Sequence, residues 1–259
     1  MEGCTGVFQR LPGRFYDDFM AGKGSLQTGG MIIAIDGPAG AGKSTVAQKL
    51  ARGLRLGYLD TGAMYRALTL KALRGHVDLD DENRLAGLAE KMRLDTEYAP
   101  RRRPPYRVFM DGEDVTSAIR SREVSAHVSR VSSHPGVRRE LVRKQRSLAK
   151  QGGVVVEGRD VGTVVFPSAD LKIFITASVR ERARRRHQDM RKEGYEVSLK
   201  TVEQEMVRRD HLDSTREHNP LRRAPDAVLV DTTGKTVSQV VGRLLRLARE
   251  RQAMLSETR

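Results

Sequence analysis

Gly37-Pro38-Ala39-Gly40-Ala41-Gly42-Lys43-Ser44-Thr45, entered from the apolar run Met31-Ile32-Ile33-Ala34-Ile35, decides the fold of this 259-residue chain. The pattern is G-x-x-x-x-G-K-[ST]. Its glycines let successive backbone N–H groups turn inward on a bound triphosphate, and the helix that follows adds its positive N-terminal dipole. Lys43 then falls on the β- and γ-phosphates and the Ser44 hydroxyl on a Mg²⁺ ion. An ordinary glycine-rich turn would lack the setting found here: a β-branched run leads in, and Val46, Ala47, Leu50, Ala51 and Leu54 lead out at helical spacing. A dinucleotide motif of the form G-x-G-x-x-G, started at Gly40, fails at Thr45.

Strand-like apolar runs recur at 31–35, 56–59, 154–156, 171–176 and 227–230, with amphipathic segments between them. This alternation predicts an α/β fold, a five-stranded parallel sheet covered by helices on both faces. Two stretches interrupt it. Around 90–130, Tyr106-Arg107-Val108-Phe109-Met110 and the turn Asp111-Gly112 before Glu113-Asp114-Val115 read as a hairpin in a small inserted subdomain. Around 180–200 the chain is dense in arginine (Arg180, Arg182, Arg184, Arg185, Arg186, Arg191), with a break at Gly194 and another helix from about Ser198. A solvated basic helix is the plain alternative there. Val240, Val241, Leu244, Leu245 and Ala248 mark a packing helix near the C-terminus.

Composition sets wider bounds. The length fits one domain with insertions or two small ones, and 38% hydrophobic residues can fill its core. Lys and Arg number 47 against 33 Asp and Glu, a net +14, so the surface attracts polyanions without choosing among nucleotides, nucleic acid and lipid. No apolar run nears the roughly 20 residues of a membrane span. The single cysteine, Cys4, cannot form an intrachain disulfide, which suits a reducing cytoplasm. Residues 1–30 hold seven glycines and no sustained periodicity, and are read as a disordered extension or as upstream sequence before a start at Met31.

A phosphate loop alone fits a GTPase, an ATPase motor or a small-molecule kinase. Three clusters narrow the choice. Leu59-Asp60-Thr61-Gly62-Ala63-Met64-Tyr65-Arg66 places short polar residues at a strand-to-helix turn, with Arg66 about one turn in. Glu157-Gly158-Arg159-Asp160-Val161-Gly162 follows a strand, so its charges emerge at the carboxyl edge, where open α/β sheets bind ligands. In Arg208-Arg209-Asp210-His211-Leu212-Asp213-Ser214-Thr215-Arg216, helical spacing stacks Arg209, Asp213 and Arg216 on one face.

From Met31 onward these motifs, with the Met110-to-Thr116 hairpin and the Glu157-to-Pro167 stretch, resemble the bacterial cytidylate kinases in order and spacing. The resemblance implies a kinase domain over 31–259, with an acceptor-binding insertion near 90–130 and an arginine-rich lid near 180–200. It implies that residues from Gly37 through Pro38, Ala39, Gly40, Ala41, Gly42, Lys43 and Ser44 to Thr45 hold ATP. Thr61 and Arg66 face the monophosphate, Ser129, Arg138 and Asp160 the cytosine, Arg159 and Arg209 the phosphates, and Asp213 and Arg216 the ribose and phosphate side. Lys43, Arg159, Arg209 and the lid residues Arg182 and Arg185 are the expected catalytic groups. Mg²⁺ is expected on Ser44, with Glu157 contacting it through a water. Thr61 stands where many relatives have Ser, and Glu157 where Asp is common. The implied reaction is phosphorylation of CMP, with dCMP also accepted, by a monomer with no membrane or nucleic-acid partner.

The chemistry agrees with this implication. Moving a phosphoryl group between two anions needs alignment and neutralised charge, not a covalent intermediate, and so many arginines. The acceptor phosphate is already ionised, so no base is required, and His127, His134, His187, His211 and His218 are read as structural or surface residues. Two other readings remain. One is a P-loop NTPase that binds RNA or ribosomes, against which stand the absence of Trp and the 5% aromatic content. The other is a kinase for UMP or another small acceptor, with the same mechanism and a different base pocket. A GTPase would also want an NKxD tetrad, which the chain lacks.

Overall fold

In the computed structural model, which describes residues 30–98, 104–150, 152–192 and 194–257, each of the five apolar runs is a strand of one parallel sheet. These are β1 (Gly30–Asp36), β2 (Gly57–Asp60), β6 (Gly152–Gly158), β7 (Leu171–Thr176) and β8 (Val228–Asp231), in the spatial order β2-β6-β1-β7-β8. Side chains alternate across the sheet. Ala34, Val154 and Val156 join a core with α2 (Thr61–Arg74), α3 (Glu82–Lys91), α4 (Arg122–Val131) and α5 (Pro135–Leu148). Ile33, Ile35, Val155, Ile173 and Ile175 enter a second core with α1 (Lys43–Leu54) and α8 (Val237–Glu257). The period of two along buried strands explains why both faces are apolar and both carry helices. No helix among the described residues is long and apolar enough to cross a membrane.

Gly30, counted above with the extension, opens β1 and pairs with Gly152. A Cβ on Gly30 would stand 2.7 Å from the Gly153 Cα, so glycines let β1 and β6 begin in contact. Residues 1–29 lie outside the described residues. The expected hairpin is present as β4 (Tyr106–Met110) and β5 (Glu113–Asp114), with Asp111 and Gly112 both at positive φ, as a tight hairpin turn demands. It gains a third strand, β3 (Leu94–Tyr98), antiparallel to β4.

The arginine-dense stretch forms α6 (Val179–Lys192), followed by Gly194 at φ 86° and α7 (Leu199–Thr215). Ser198 caps α7 by accepting from the Thr201 N–H at 3.0 Å. Ala183, Met190, Val202 and Met206 form a small apolar core between α6 and α7, so the stretch packs as a helical hairpin rather than standing alone in solvent. Arg216, expected on the same helical face as Arg209 and Asp213, instead lies just past the end of α7, with extended backbone. Its guanidinium donates to the Asn219 carbonyl, and the Leu221 N–H bonds back to the Asp213 carbonyl, so the chain turns there.

Gly37, which joins β1 to the phosphate loop, has φ 146°, and a Cβ on it would lie 1.9 Å from the Ile175 carbonyl oxygen. Gly37→Ala must displace β7. It is expected to cost about 3 kcal/mol or more through backbone strain and overpacking, read as a shift in the urea unfolding midpoint. A midpoint within error of the parent would show that this junction is softer than its geometry implies.

Candidate active site

All the polar clusters singled out in the sequence reach the carboxyl edge of the parallel sheet. The phosphate loop follows β1, with Gly40 and Gly42 at φ 72° and 89°, and Gly42 immediately precedes α1. Lys43 is buried, and its Nζ donates to the Pro38 carbonyl at 2.8 Å. Ser44 hydrogen-bonds to Glu157 at the end of β6, and the Tyr58 hydroxyl donates to Glu157 Oε1. Ala39 and Ala41 also lie inside the loop, and Thr45 is exposed at the first turn of α1. Thr232 Oγ1 donates to the Ala41 carbonyl at 3.2 Å, tying the loop to the end of β8.

On the other side of β6, Asp60 caps α2 by accepting from the Ala63 N–H at 3.0 Å. The buried Thr61 hydroxyl donates to the Glu157 carbonyl at 2.7 Å. Arg66, one turn further on, donates to the Ile119 carbonyl at 3.1 Å and to Ser125 Oγ at 2.8 Å. Two ion-paired groups stand beside it. Arg159 Nε donates to Asp213 Oδ2 at 2.9 Å, and Ser129 Oγ donates to Asp213 Oδ1 at 3.3 Å. Arg138 is ion-paired with Asp160, its NH1 donates to the Ser132 carbonyl at 3.1 Å, and Arg216 lies 3.6 Å from the other Asp160 oxygen. The Arg138 guanidinium also sits over the Tyr65 ring, 5.4 Å from its centroid. The structure thus joins Arg138 to Asp160 but puts the Ser129 hydroxyl on Asp213.

Four cations crowd the space between the phosphate loop and α2, and their protonation records it. Burial and then the Arg159 charge press Lys43 down to about 7. Burial and then Arg209 bring Arg66 down to about 9. Burial and then Arg159 bring Arg209 down to about 10, and its buried Nε has no hydrogen-bond partner. Arg159 alone of the four is raised: burial lowers it most, but the charge and hydrogen bond of Asp213, joined by the charges of Glu157 and Asp210, more than offset that cost. Glu157 is pushed up to about 7, chiefly by burial and then by Asp60. A site that sets like charges against one another in this way is built for an anion.

The two arginines of α6 have distinct places. Buried Arg182 donates to the Ala177 carbonyl and, at 3.0 Å, to the Ala39 carbonyl of the phosphate loop, and it is ion-paired with Asp210 at 2.6 Å. Arg185 pairs with Glu181 at 2.9 Å and donates to the Thr232 carbonyl at 2.8 Å, with its NH1 close to Gly42. Sequence reasoning passed over Asp36 and Tyr58. Asp36, the last residue of β1, accepts from two backbone N–H groups of the 160s turn, and Tyr58 holds Glu157. An acidic residue ending a strand just before a phosphate loop is a visible signal, but its partners lie some 125 residues away.

With this geometry in place, similarity to known proteins becomes informative. A family model described as cytidylate kinase matches residues 33–250. The chain belongs to the cytidylate kinase family. The cytidylate kinase of Desulfitobacterium hafniense (strain Y51) is 53% identical over 215 residues, 83% of this chain and 91% of that protein. A bifunctional pantoate ligase/cytidylate kinase of Synechococcus sp. (strain JA-3-3Ab) is 51% identical over 219 residues, 85% of this chain but 41% of that longer protein. Among solved structures, a shikimate kinase from Bacteroides thetaiotaomicron aligns with TM-score 0.44 at 12% identity, covering 85% of this chain and 98% of that one.

Proposed function

We propose that this chain transfers the γ-phosphoryl group of ATP to CMP, and to dCMP, by direct in-line attack. The observation that carries the proposal is the set of mutually repelling cations Lys43, Arg66, Arg159 and Arg209, grouped where the phosphate loop meets α2. Two bound phosphate chains would relieve that repulsion. The loop from Gly37 to Thr45 holds ATP, with Lys43 on its β- and γ-phosphates. Thr61, Arg66 and Arg209 hold the acceptor phosphate, and Arg159 bridges donor and acceptor. Each charge-assisted bond contributes about 1.5 to 3 kcal/mol, and a guanidinium fork also fixes orientation.

Asp213, with Arg216 near it, serves the ribose side, and Ser129 reaches this group through Asp213. Burial works to raise the Asp213 pKa, but Arg159 and Arg209 hold it below the usual carboxylate range, so it stays ionised as an acceptor for sugar hydroxyls. Mg²⁺ fits the donor set: the Ser44 hydroxyl and the Glu157 carboxylate meet at the loop, and no cluster of three metal-ligating side chains is present among the described residues. That suits an ion that keeps several waters and phosphate oxygens. Ser44 would hold it directly and Glu157 through a water, and when bound it neutralises charge on the phosphates.

The arginine-rich stretch near 180–200, α6 and the turn after it, is the lid in this reading, closing over ATP to exclude water. Arg182 positions the phosphate loop through Ala39, and Arg185 is free to exchange its Thr232 contact for a phosphate. The same reading takes the small sheet and its flanking residues as the acceptor-binding insertion, and the chain as a cytoplasmic monomer whose partners are nucleotides.

Initial rates with ATP and a panel of monophosphates test the proposal. CMP and dCMP are expected to lead, and UMP leading, or ATP hydrolysis without preference, would overturn it. The base-reading group is Asp160: a carboxylate accepts from the exocyclic amino group of cytosine and repels the carbonyl that uracil puts there. Asp160→Ala is expected to lower kcat/KM for CMP by about 1 to 3 kcal/mol and to affect UMP far less. Equal losses on both substrates would move base recognition elsewhere.

A further inference from the structure

We propose that Asp36 is a positioning residue for base choice: its carboxylate pins the backbone turn that carries Asp160. The inference rests on Asp160 as the group that reads cytosine. Asp36 is 4% exposed at the end of β1. Its Oδ1 accepts from the Val161 N–H at 2.8 Å and its Oδ2 from the Gly162 N–H at 2.7 Å. These two N–H groups open the wide turn Val161–Val165, which starts directly after Asp160. The Asp160 carbonyl is bound into the same turn, accepting from the Val164 and Val165 N–H groups at 2.9 and 3.2 Å. Asp160 is therefore fixed on its backbone by Asp36 and at its carboxylate by Arg138 and Arg216.

The arrangement is unfavourable for packing alone. No arginine or lysine is ion-paired with Asp36 among the described residues, and burial lifts its pKa to about 6 although both N–H groups oppose the rise. A buried carboxylate with no directly paired cation, on which Lys43 acts only through its charge, has its use in those two donors, which a neutral side chain of the same size cannot both satisfy. Gly162 makes the approach possible: a Cβ there would stand 3.3 Å from Asp36 Oδ2 and 3.2 Å from Lys172 Cδ. Because Asp36 immediately precedes Gly37, the clamp also ties the base-reading turn to the root of the phosphate loop.

Asp36→Asn keeps the volume but offers one acceptor and one donor to two N–H groups. The expected result is a KM for CMP raised about tenfold and a CMP/UMP efficiency ratio lowered by a similar factor, with kcat and the KM for ATP nearly unchanged. Gly162→Ala, which pushes on the same carboxylate without altering its charge, is expected to move the ratio in the same direction and decides the matter if Asp36→Asn does not fold. A ratio that stays at the parent value in a folded variant, whatever happens to its thermal midpoint, would overturn the proposal and leave Asp36 a structural residue. Asp160→Ala measured alongside separates the two claims. If it lowers the ratio and neither Asp36→Asn nor Gly162→Ala does, the positioning role fails alone; if it leaves the ratio intact, the base-reading assignment fails with it.

Discussion

Lys43→Ala is expected to lower turnover of CMP by about 10³-fold or more, the scale on which a single cation at a transferring phosphoryl group acts. CMP binding, measured by calorimetry, should stay close to the parent. The separation follows from position: Lys43 lies inside the phosphate loop, donating to Pro38, whereas Arg138, Asp160 and Asp213 stand beyond the end of β6. Removing Lys43 also carries little risk to the fold. Its ammonium is already destabilised by burial and by Arg159, and the neighbouring Glu157 titrates near 7, so it can lose charge instead of remaining buried and unpaired. CMP affinity collapsing together with turnover would show that Lys43 serves the acceptor.

Arg159→Ala is expected to cost about 10² to 10³-fold in kcat. Arg159 lies among Lys43, Arg209 and Asp213 and is the one cation of the group whose charge is secured by a partner. Its loss removes a fork from the phosphoryl group in flight and frees Asp213 to turn toward Arg209. Arg159→Lys should recover little of the loss, because a point charge cannot bond Asp213 and a phosphate in one plane. Steady-state kinetics with saturating ATP and CMP check both variants. A lysine variant within a few-fold of the parent would mean that only charge, and not the fork, is used.

The parallel sheet was legible because its strands are continuous apolar runs bounded by turns, and their edge of emergence followed from the phosphate loop at the end of one of them. Leu94-Asp95-Thr96-Glu97 was not legible as a strand, since nothing in its own pattern matches the apolar alternation of Tyr106 to Met110, with which it pairs. Helical spacing correctly put Asp213 beside Arg209 on α7 but carried Arg216 along, although hydrogen bonding to Asn219 ends the helix first. Within the candidate site, charged residues in motifs stood out and were brought to one edge. The residues that hold them were less legible: the place of Asp36 before the phosphate loop is visible, but it works through distant backbone N–H groups and Tyr58 through Glu157, and neither pairing leaves a local trace. Ser129 shows the same limit, being on a helix face that predicts nearness to the site but not which carboxylate it meets.

The most direct test of the central claim, that this cluster of cations directs the γ-phosphoryl group onto a second phosphate and not onto water, is the ratio of products. With unmodified protein, ATP and CMP, ADP and CDP are expected to appear one for one at the initial rate, with ADP formation falling to a small residue when CMP is omitted. ADP accumulating without CDP, or at the same rate with no acceptor present, would contradict the account.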